Sequence, residues 1–463
     1  MLPPVLYLVE RQILKLTYDQ GSILLDAPQD FQLPEWFSWD PRVSCWRALG
    51  HTCPQTLRWS KSQSISLVNG IQRPAKLELK LRSRYEPHPY QTEALEAWTK
   101  AGGRGSVVLP TGSGKTYVAL KAIEKAHIAS LVIAPTLVLM NQWYALLQDS
   151  FGTEIGILGG GYHELREITV STYDSAYIHA AEYGDRFGLL VFDEVHHLPS
   201  PKFLDIARMS IAPFRLGLTA TYERQDGLHR NLYSLVGSLV YKKTVEDLKG
   251  DYLADYQVVR LKVPLTEEEQ IRYKAASGAY YGFVRESGLK PYGDGWNDFV
   301  KKSAYDPRAR EAMLARTELR KLASGASRKL EMLDSLLKQH STDKAIIFTE
   351  SNEVVYQIAR EFLIPAITHL TKAKERKWIL DGLKKGLFPA VVTSKVLNEG
   401  IDVPDAKVAI ILSGSASPRE HIQRLGRVLR KSGARNLAVL YEVVSSSTAE
   451  VGISGRRKLN AHA

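Results

Sequence analysis

Short apolar runs alternate with amphipathic, helix-like stretches between residues 105 and 221. The stretch 117–123, for example, spaces its apolar residues as one face of a helix does. Apolar strands separated by helices are typical of a parallel sheet that is covered on both faces. We predict these strands at 105–108, 130–135, 155–158, 168–171, 189–192 and 215–221.

A second series with the same alternation begins near residue 344 and predicts a second parallel sheet. Its strands are predicted at 344–350, 366–370, 390–394, 408–412 and 437–441, with helices at 353–363 and 373–385. Between the two series the alternation stops, which predicts an insertion or linker with helical arms. The insertion contains a loosely strand-like stretch at 253–263, charged helical patterns at 266–287 and 308–323, and a turn-rich break at 288–296.

The start of the chain has a different pattern, with short strands predicted at 6–9, 13–17 and 22–25. The predicted fold class is therefore α/β, with two tandem parallel-sheet domains, a small mixed N-terminal domain and a helical insertion. The predicted divisions are 1–80, 81–244, 245–325, 326–445 and a flexible tail at 446–463.

Charge indicates a polyanionic partner, since 61 basic against 50 acidic side chains give a formal net charge of +11. The N-terminal segment is asymmetric: six acidic and two basic residues lie in 1–40, but nine basic and one acidic in 41–84. Four tryptophans are interleaved with this charge, at Trp36, Trp39, Trp46 and Trp59. Two interpretations stay open, namely a nucleic-acid face, and buried tryptophans beneath a solvated charged face.

The two cysteines, Cys45 and Cys53, do not suggest a disulfide scaffold or a zinc site of their own, which favours a reducing, intracellular compartment. The first residues lack a basic lead and contain two prolines, so we do not expect a signal peptide. No apolar run approaches the length of a membrane span.

A glycine-rich loop between a predicted strand and a predicted helix has the pattern of a phosphate-binding P-loop. Its residues are Leu109, Pro110, Thr111, Gly112, Ser113, Gly114, Lys115 and Thr116. Lys115 would reach the β- and γ-phosphates of ATP, and Thr116 would hold Mg²⁺ through its hydroxyl. The first glycine of the usual pattern is Leu109 here, and the alternative is a plain glycine turn before a core helix.

An acidic pair, Asp193 and Glu194, follows the predicted strand 189–192. At the end of a buried strand and beyond a P-loop, this pair is typical of a nucleotide hydrolase. Asp193 would hold Mg²⁺ opposite Thr116, and Glu194 would orient and deprotonate the attacking water. His196 would touch the phosphate region or couple to the next element.

Three further residues near these motifs are candidates for nucleotide contact or coupling. Gln91, at a predicted helix start ahead of the P-loop, would hydrogen-bond the adenine edge; the alternative is an ordinary helix N-terminus. Thr219 and Thr221 would relay between nucleotide and nucleic acid, or they are simply β-branched residues at a strand end.

The second sheet carries two polar stretches, 395–404 and 423–430. In the latter, Arg427 and Arg430 are three residues apart and would share a helix face. An arginine finger of this kind adds positive charge at the transition state when two sheets close on ATP. The alternative is a basic helix facing solvent.

As an ordered set from Pro89 to Arg430, these motifs resemble those of superfamily 2 helicases, and within them the XPB group in a short, archaeal-like form. The spelling Asp193-Glu194-Val195-His196, the small N-terminal domain, the stretch 219–226 and the thumb-like insertion carry the resemblance to that group. The group's Arg-Glu-Asp element is Arg224-Gln225-Asp226 here, one negative charge fewer.

The resemblance implies two RecA-like domains and an ATP-driven, Mg²⁺-dependent 3′-to-5′ motor that acts on DNA in nucleotide excision repair or transcription. It implies a nuclease partner for archaeal members and a location at a prokaryotic nucleoid. It also assigns roles by position: nucleotide binding to Gly400 and Asp402, coupling to Gln423, Arg224 and Asp226, and nucleic-acid contact to Pro135, Thr136, Thr172, Thr349, Thr393 and Ser394.

Two other functions remain open from the sequence. One is an RNA-remodelling ATPase on the same scaffold, and the other is a DNA-binding protein whose ATP site is only a conformational switch. The complete set Lys115, Asp193, Glu194, Arg427 and Arg430 argues against a switch without hydrolysis.

Overall fold

Three β-sheets with their helices make up the part of the chain that the computed structural model describes. Those residues are 14–82, 85–224, 226–248, 252, 256–288, 294–394, 406–413 and 438–452. The chain divides into two compact units, Met1–Thr244 and Val245–Ala463, and each is described by itself below. The first unit holds two of the sheets and the second unit holds the third.

A mixed five-stranded sheet opens the first unit. Its elements are β1 (Leu14–Asp19), β2 (Ser22–Asp26), β3 (Ser38–Asp40), β4 (Cys45–Leu49), α1 (Cys53–Ser62) and β5 (Leu67–Asn69). The strand order is β3-β4-β2-β1-β5, with β1 and β5 parallel and the other neighbours antiparallel. Alternate residues of β1 and β2, such as Leu16 and Ile23, are buried because side chains in a strand point to opposite faces in turn.

The four tryptophans of this segment are half-buried, and Trp36 and Trp46 pack against its apolar core. Trp36 donates its indole N–H to the Thr56 hydroxyl at 3.2 Å, and Trp46 donates to the Pro28 carbonyl at 3.0 Å. Trp39 meets Trp46 edge to face. These contacts favour the core interpretation for Trp36 and Trp46.

The N-terminal sheet packs directly on the rest of the first unit. Ile211, from beyond the sheet, is buried within the sheet's own apolar cluster. The Tyr18 hydroxyl lies 3.0 Å from the carbonyl oxygens of both Ala181 and Met209, and burial raises its pKa. Gly50 lies so close to Met209 that a Cβ there would come within 2.2 Å of the Met209 carbonyl oxygen.

Replacing Asp40 with asparagine should weaken the N-terminal sheet at neutral pH and less so in acid. The carboxylate accepts hydrogen bonds from Arg42 and Arg47, which hold its pKa well below the usual range. Its stabilising effect is therefore complete above the unfolded-state pKa of about 4 and is lost as the pH falls below that value toward the folded-state pKa.

The measurement is the urea midpoint between pH 3 and 7 for the wild type and for Asp40→Asn, with the exposed Asp30→Asn as control. The difference in urea midpoint between the wild type and Asp40→Asn should become smaller as the pH falls below about 4. A difference in urea midpoint that stays constant between pH 3 and 7 would contradict the ion-pair explanation.

The second sheet of the first unit has eight strands in the order β13-β6-β12-β11-β7-β10-β8-β9. The strands are β6 (Arg104–Val108), β7 (Ser130–Ala134), β8 (Gly156–Gly159), β9 (Tyr162–Glu164), β10 (Ile168–Thr172), β11 (Leu189–Asp193), β12 (Phe214–Thr219) and β13 (Leu239–Lys242). The helices are α2 (Pro89–Lys100), α3 (Lys115–Ala126), α4 (Leu137–Phe151), α5 (Tyr173–Ile178), α6 (Ala180–Tyr183), α7 (Leu204–Arg208) and α8 (Leu232–Leu235).

All neighbouring strands of this sheet are parallel except the edge pair β8 and β9. Every residue of β7 and β10 is buried, which a parallel sheet covered on both faces requires. The register aligns Thr219 with Val108 and Thr172 with Ala134. The carboxyl ends of these strands therefore form one edge, where ligands of open α/β sheets bind.

The second unit begins with α9 (Val245–Leu248) and contains a helical insertion of α10 (Glu267–Ser287), α11 (Asp294–Ser303) and α12 (Pro307–Ser324). These helices pack around Tyr280, Phe283 and Phe299. The Arg316 guanidinium lies over the Trp296 ring, 4.1 Å from its centroid. The helical segment predicted between the two sheets is thus a packed element with its own core.

The third sheet has six parallel strands in the order β14-β19-β18-β15-β17-β16. Its elements are β14 (Tyr256–Val263), α13 (Ser327–Gln339), β15 (Ala345–Phe348), α14 (Asn352–Phe362), β16 (Ala366–Ile367), α15 (Ala373–Lys385), β17 (Ala390–Thr393), β18 (Val408–Ile411) and β19 (Ala438–Ser445). Residues 256–263 of the stretch predicted as part of the insertion lie in this sheet, because β14 pairs with β19 along its whole length.

Part of the segment predicted as a flexible tail is packed. Glu450 lies 2.6 Å from the ammonium of Lys329, whose side chain is fully buried at the start of α13. The Glu450 carboxylate also accepts the Ser445 N–H at 3.1 Å. Residues 446–452 are therefore anchored by an ion pair, whereas 453–463 lie outside the described residues.

The predicted α/β class, with two parallel-sheet regions, a mixed N-terminal sheet and a helical insertion, is confirmed. Among the residues that the structure describes, no helix is both long and apolar enough to span a membrane.

Candidate active site

The predicted P-loop lies between the end of β6 and the start of α3. Gly112 and Gly114 have φ angles of 84° and 77°, which side-chain-bearing residues rarely adopt. A Cβ on Gly114 would also lie 2.4 Å from the side-chain nitrogen of Gln91. Both glycines are thus required by the backbone, and the loop leads directly into the N-terminus of α3, a position that favours phosphate groups.

The polar side chains of the loop fit a phosphate ligand. The Lys115 ammonium donates to the carbonyl oxygens of Leu109 and Pro110, at 3.0 and 3.1 Å. The Thr111 hydroxyl oxygen is buried and has no hydrogen-bond partner among the residues that the structure describes, as a group that binds a ligand would. These observations match a nucleoside triphosphate with Mg²⁺, for which Thr116 supplies a half-buried hydroxyl in the next position.

Gln91 is buried against the P-loop rather than facing open solvent. Its side-chain oxygen accepts the His88 N–H at 3.0 Å, and its side-chain nitrogen donates to the Ser113 carbonyl at 2.9 Å. Tyr90 donates its hydroxyl to the same carbonyl at 2.7 Å. Gln91 therefore supports the loop in this structure, and its predicted contact with the adenine edge stays a prediction.

The acidic pair lies at the end of β11. Asp193 accepts the Trp143 indole N–H at 2.9 Å and the Glu194 main-chain N–H at 3.1 Å. Burial and the neighbouring Glu194 charge raise the pKa of Asp193, and the hydrogen bond from Trp143 opposes that rise. Tyr173 lies below the pair and donates its hydroxyl to the Asp193 carbonyl at 3.0 Å.

Glu194 is held in a left-handed backbone conformation, with φ 49° and ψ 57°. Its carboxylate accepts the Thr219 hydroxyl at 3.2 Å and lies 3.3 Å from the His196 ring nitrogen Nδ1. His196 Nδ1 and the Thr219 hydroxyl are 2.9 Å apart. The predicted catalytic glutamate is thus in direct contact with two of the predicted coupling residues, His196 and Thr219.

The network continues away from the P-loop. The Thr221 N–H donates to the Thr219 hydroxyl at 3.2 Å. The Thr221 hydroxyl is buried and has no hydrogen-bond partner in the described part of the chain. Arg224 donates to the His196 carbonyl at 2.6 Å and pairs in bidentate fashion with Asp226. That pair lowers the pKa of Asp226 to about 2. The structure therefore connects the Arg224-Asp226 element to the acidic motif through His196.

The predicted nucleic-acid contacts of the first unit lie at the same edge of the sheet. Pro135 and Thr136 follow β7, and Thr172 ends β10. The two threonine hydroxyls cap helices: Thr136 accepts the Leu139 N–H, and Thr172 accepts the Ser175 N–H. Capping explains these threonines without DNA, so their contact with nucleic acid stays a prediction.

The predicted contacts of the second unit are more deeply buried. Thr349 and Thr393 have no exposed surface, and Ser394 is 5% exposed. The Thr349 hydroxyl is 2.9 Å from the Ser413 hydroxyl, and the Thr393 hydroxyl donates to the Ser394 carbonyl. These residues present almost no surface in this structure, so their contact with nucleic acid stays a prediction.

Several candidate residues lie outside the described residues. These are Gln225, Gly400, Asp402, Gln423, Arg427 and Arg430. Their predicted roles in nucleotide binding, coupling and catalysis stay predictions.

Sequence reasoning missed Trp143, Tyr173 and Tyr90, whose side chains hold the acidic pair and the P-loop. Each is a buried aromatic residue on a helix. The sequence pattern does not distinguish these three residues from ordinary core aromatics, because only the fold brings their polar atoms to the site.

A P-loop and a strand-end acidic pair on a parallel sheet, together with a second parallel sheet without a P-loop, define a nucleotide hydrolase of the helicase class. Three family models match the chain. They are "Type III restriction enzyme, res subunit" at residues 84–224, "Helicase conserved C-terminal domain" at 328–432 and "Xeroderma pigmentosum group B helicase damage recognition domain" at 16–65. The chain belongs to the XPB family of helicases and translocases.

Curated relatives carry that assignment. The chain is 39% identical over 444 residues to "DNA 3'-5' translocase XPB2" of Sulfurisphaera tokodaii, covering 96% of this chain and 99% of the relative. It is 32% identical to "DNA 3'-5' helicase XPB" of Kineococcus radiotolerans, covering 80% of this chain and 62% of the relative. For the protein of the same name from Mycobacterium tuberculosis, the identity is 28%, with 86% and 67% covered.

A solved structure supports the fold. The Hef helicase domain of Pyrococcus furiosus has a TM-score of 0.51 at 18% identity and covers 80% of this chain and 98% of its own. The predicted superfamily 2 helicase of the XPB group, in its short form, is confirmed together with the two RecA-like domains.

Proposed function

We propose that the chain is an ATP-driven motor that moves along DNA in the 3′-to-5′ direction and acts in DNA repair or transcription. The observation that carries this proposal is that the P-loop follows β6 and the acidic pair lies at the end of β11, parallel strands on either side of β12, at one edge of the eight-stranded sheet. The relatives named above, a DNA 3'-5' translocase and DNA 3'-5' helicases, favour DNA over RNA as the track.

ATP would be held by the loop 111–114 and by Lys115, which exchanges the carbonyl oxygens of Leu109 and Pro110 for phosphate oxygens. Thr116 and Asp193 would hold Mg²⁺, which neutralises charge on the phosphates when bound. Glu194 would accept the proton of the attacking water at its carboxylate, and the Thr219 hydroxyl holds that carboxylate in place.

Coupling to DNA would use the network beyond Glu194. A change in the contacts of the Glu194 carboxylate is passed directly to Thr219 and His196, and from the His196 carbonyl to Arg224. Discrete hydrogen bonds of this kind can switch between two arrangements as the nucleotide changes. Arg427 and Arg430 are proposed to add charge to the transition state.

Three parts of the proposal rest on the family resemblance: a nuclease partner, a location at the nucleoid, and the contacts of Gly400, Asp402 and Gln423 with nucleotide or the coupling path.

The proposed domains are 1–80, 81–244, 245–325 and 326–445. Within them, β14 is assigned to the last domain's sheet, and residues 446–452 extend that domain.

We expect ATP hydrolysis by the full chain to rise strongly with single-stranded or duplex DNA and little with RNA. Glu194→Gln should lower the DNA-stimulated rate by about 10²–10⁴-fold, because the amide keeps the size of the side chain but does not take up a proton. The measurement is the rate of phosphate release without nucleic acid, with single-stranded DNA, with duplex DNA and with RNA.

If RNA rather than DNA stimulates ATP hydrolysis, the proposal of a DNA motor is wrong and an RNA-remodelling ATPase takes its place. Hydrolysis that stays absent in every condition, with intact ATP binding, would favour the switch without a motor. Strand-displacement and triplex-displacement assays on the active protein then separate unwinding from movement along intact duplex.

A further inference from the structure

Trp143 contacts the acidic pair and has no role assigned by the sequence motifs. It lies on α4, its side chain is 3% exposed, and its indole N–H points to the Asp193 oxygen Oδ2 at 2.9 Å. The other oxygen, Oδ1, accepts the Glu194 main-chain N–H at 3.1 Å. With one donor on each oxygen, the carboxylate is held in a single orientation.

The orientation of the Asp193 carboxylate matters because this residue is the one proposed to hold Mg²⁺. Asp193 ends β11 and is followed directly by Glu194, the proposed catalytic residue. A metal site requires the ionised carboxylate, and hydrogen bonds to the charged form stabilise that form. The indole N–H supplies one of these bonds without adding a positive charge that would repel Mg²⁺.

A purely structural role for Trp143 can be compared with Trp98 in the same unit. Trp98 is also 3% exposed, and it donates its indole N–H to the main-chain carbonyl of Arg215 at 3.0 Å. The two tryptophans match in burial and hydrogen-bond length. They differ in the acceptor, which for Trp143 is the carboxylate proposed to hold Mg²⁺.

We infer that Trp143 is a positioning residue for Mg²⁺ binding, because its indole N–H orients the Asp193 carboxylate. This inference rests on the proposed function, in which Asp193 is the magnesium carboxylate. It extends that function by a residue from α4, which lies outside the P-loop and the acidic motif.

The test replaces only the N–H donor, in Trp143→Phe, and uses Trp98→Phe as the matched control. The fluorescent nucleotide mant-ADP is titrated into the full chain in excess Mg²⁺ and again in EDTA. We expect Trp143→Phe to reduce the Mg²⁺-dependent gain in mant-ADP affinity roughly tenfold, the scale found when support of a metal ligand is lost. The affinity in EDTA should not change.

A second readout uses hydrolysis. At saturating ATP and DNA, the Mg²⁺ concentration that gives half the maximal rate should rise in Trp143→Phe by a similar factor, roughly tenfold. Trp98→Phe should keep the wild-type Mg²⁺ dependence in both assays, although it loses comparable packing. Thermal melting of both variants measures that shared loss.

A Trp143→Phe protein with the wild-type gain in mant-ADP affinity would overturn the inference. If Trp143→Phe does not fold while Trp98→Phe does, Trp143→Tyr is tested instead, since tyrosine keeps an aromatic ring but moves the hydrogen-bond donor. A wild-type gain in mant-ADP affinity in Trp143→Tyr would then overturn the inference. Failure of the proposed function would show separately, as wild-type protein without DNA-stimulated hydrolysis, because the mant-ADP titration needs no DNA.

Discussion

Replacing Lys115 with alanine will lower DNA-stimulated ATP hydrolysis about a thousandfold, because it removes the side-chain cation of the phosphate-binding loop. In the structure, Lys115 begins α3 and its ammonium donates to two carbonyl oxygens of the same loop. The side chain is therefore folded back against the loop that we propose to bind the β- and γ-phosphates. Alanine leaves the helix intact but supplies no charge there.

Lys121→Ala is the matched control for this variant. Lys121 lies on the same helix and pairs with Glu124, so the substitution is chemically identical but remote from the loop. Steady-state hydrolysis and ATP binding should be close to wild type in Lys121→Ala. A Lys115→Ala protein that hydrolyses ATP at the wild-type rate would show that this loop is not the ATP site.

Replacing Lys329 with methionine will destabilise the second unit by about 3–5 kcal/mol, the usual cost of removing one partner of a buried ion pair. The Lys329 side chain has no exposed surface, and Glu450 is 17% exposed. Lys329 also donates to the Leu412 carbonyl. Methionine keeps the apolar stem but removes the buried cation that contacts the Glu450 carboxylate and that carbonyl.

Urea unfolding followed by circular dichroism measures this effect. Lys338→Met on the same helix is the control, since Lys338 is 76% exposed and its pair with Asp334 is worth at most about 0.5 kcal/mol. Adding Glu450→Gln to Lys329→Met should recover part of the loss, because the uncompensated charge is removed. Equal effects of Lys329→Met and Lys338→Met would contradict the buried pair.

Most of the fold could be predicted because parallel strands in a covered sheet are apolar throughout. The helix predicted at 373–385 has the same bounds in the structure, and β11 and β17 differ from prediction by one residue. β14 was harder to assign, because its partner β19 lies far along the chain and long-range pairing leaves no local pattern. Residues 446–452 resembled a tail because the serine-rich sequence does not reveal the ion pair with Lys329.

The site was predictable where the chemistry is local in the sequence. The P-loop and the acidic pair are contiguous motifs, and the structure brings Glu194, His196 and Thr219 together as the coupling hypothesis requires. Contacts between distant elements were not predictable, such as the bond from Trp143 to Asp193. Nor does the sequence show that both ends of the Gln91 amide are engaged by neighbouring backbone.

The attachment of the N-terminal sheet affects how its role can be mapped by shortening the chain. Deleting residues 1–80 would expose Ile211, which is buried in that sheet's core, and would remove the Tyr18 hydroxyl from the carbonyl groups of Ala181 and Met209. Loss of activity in a shortened protein could thus be caused by the newly exposed apolar surface as readily as by a missing DNA contact. Point substitutions on the outer face of the sheet are the informative way to separate the two.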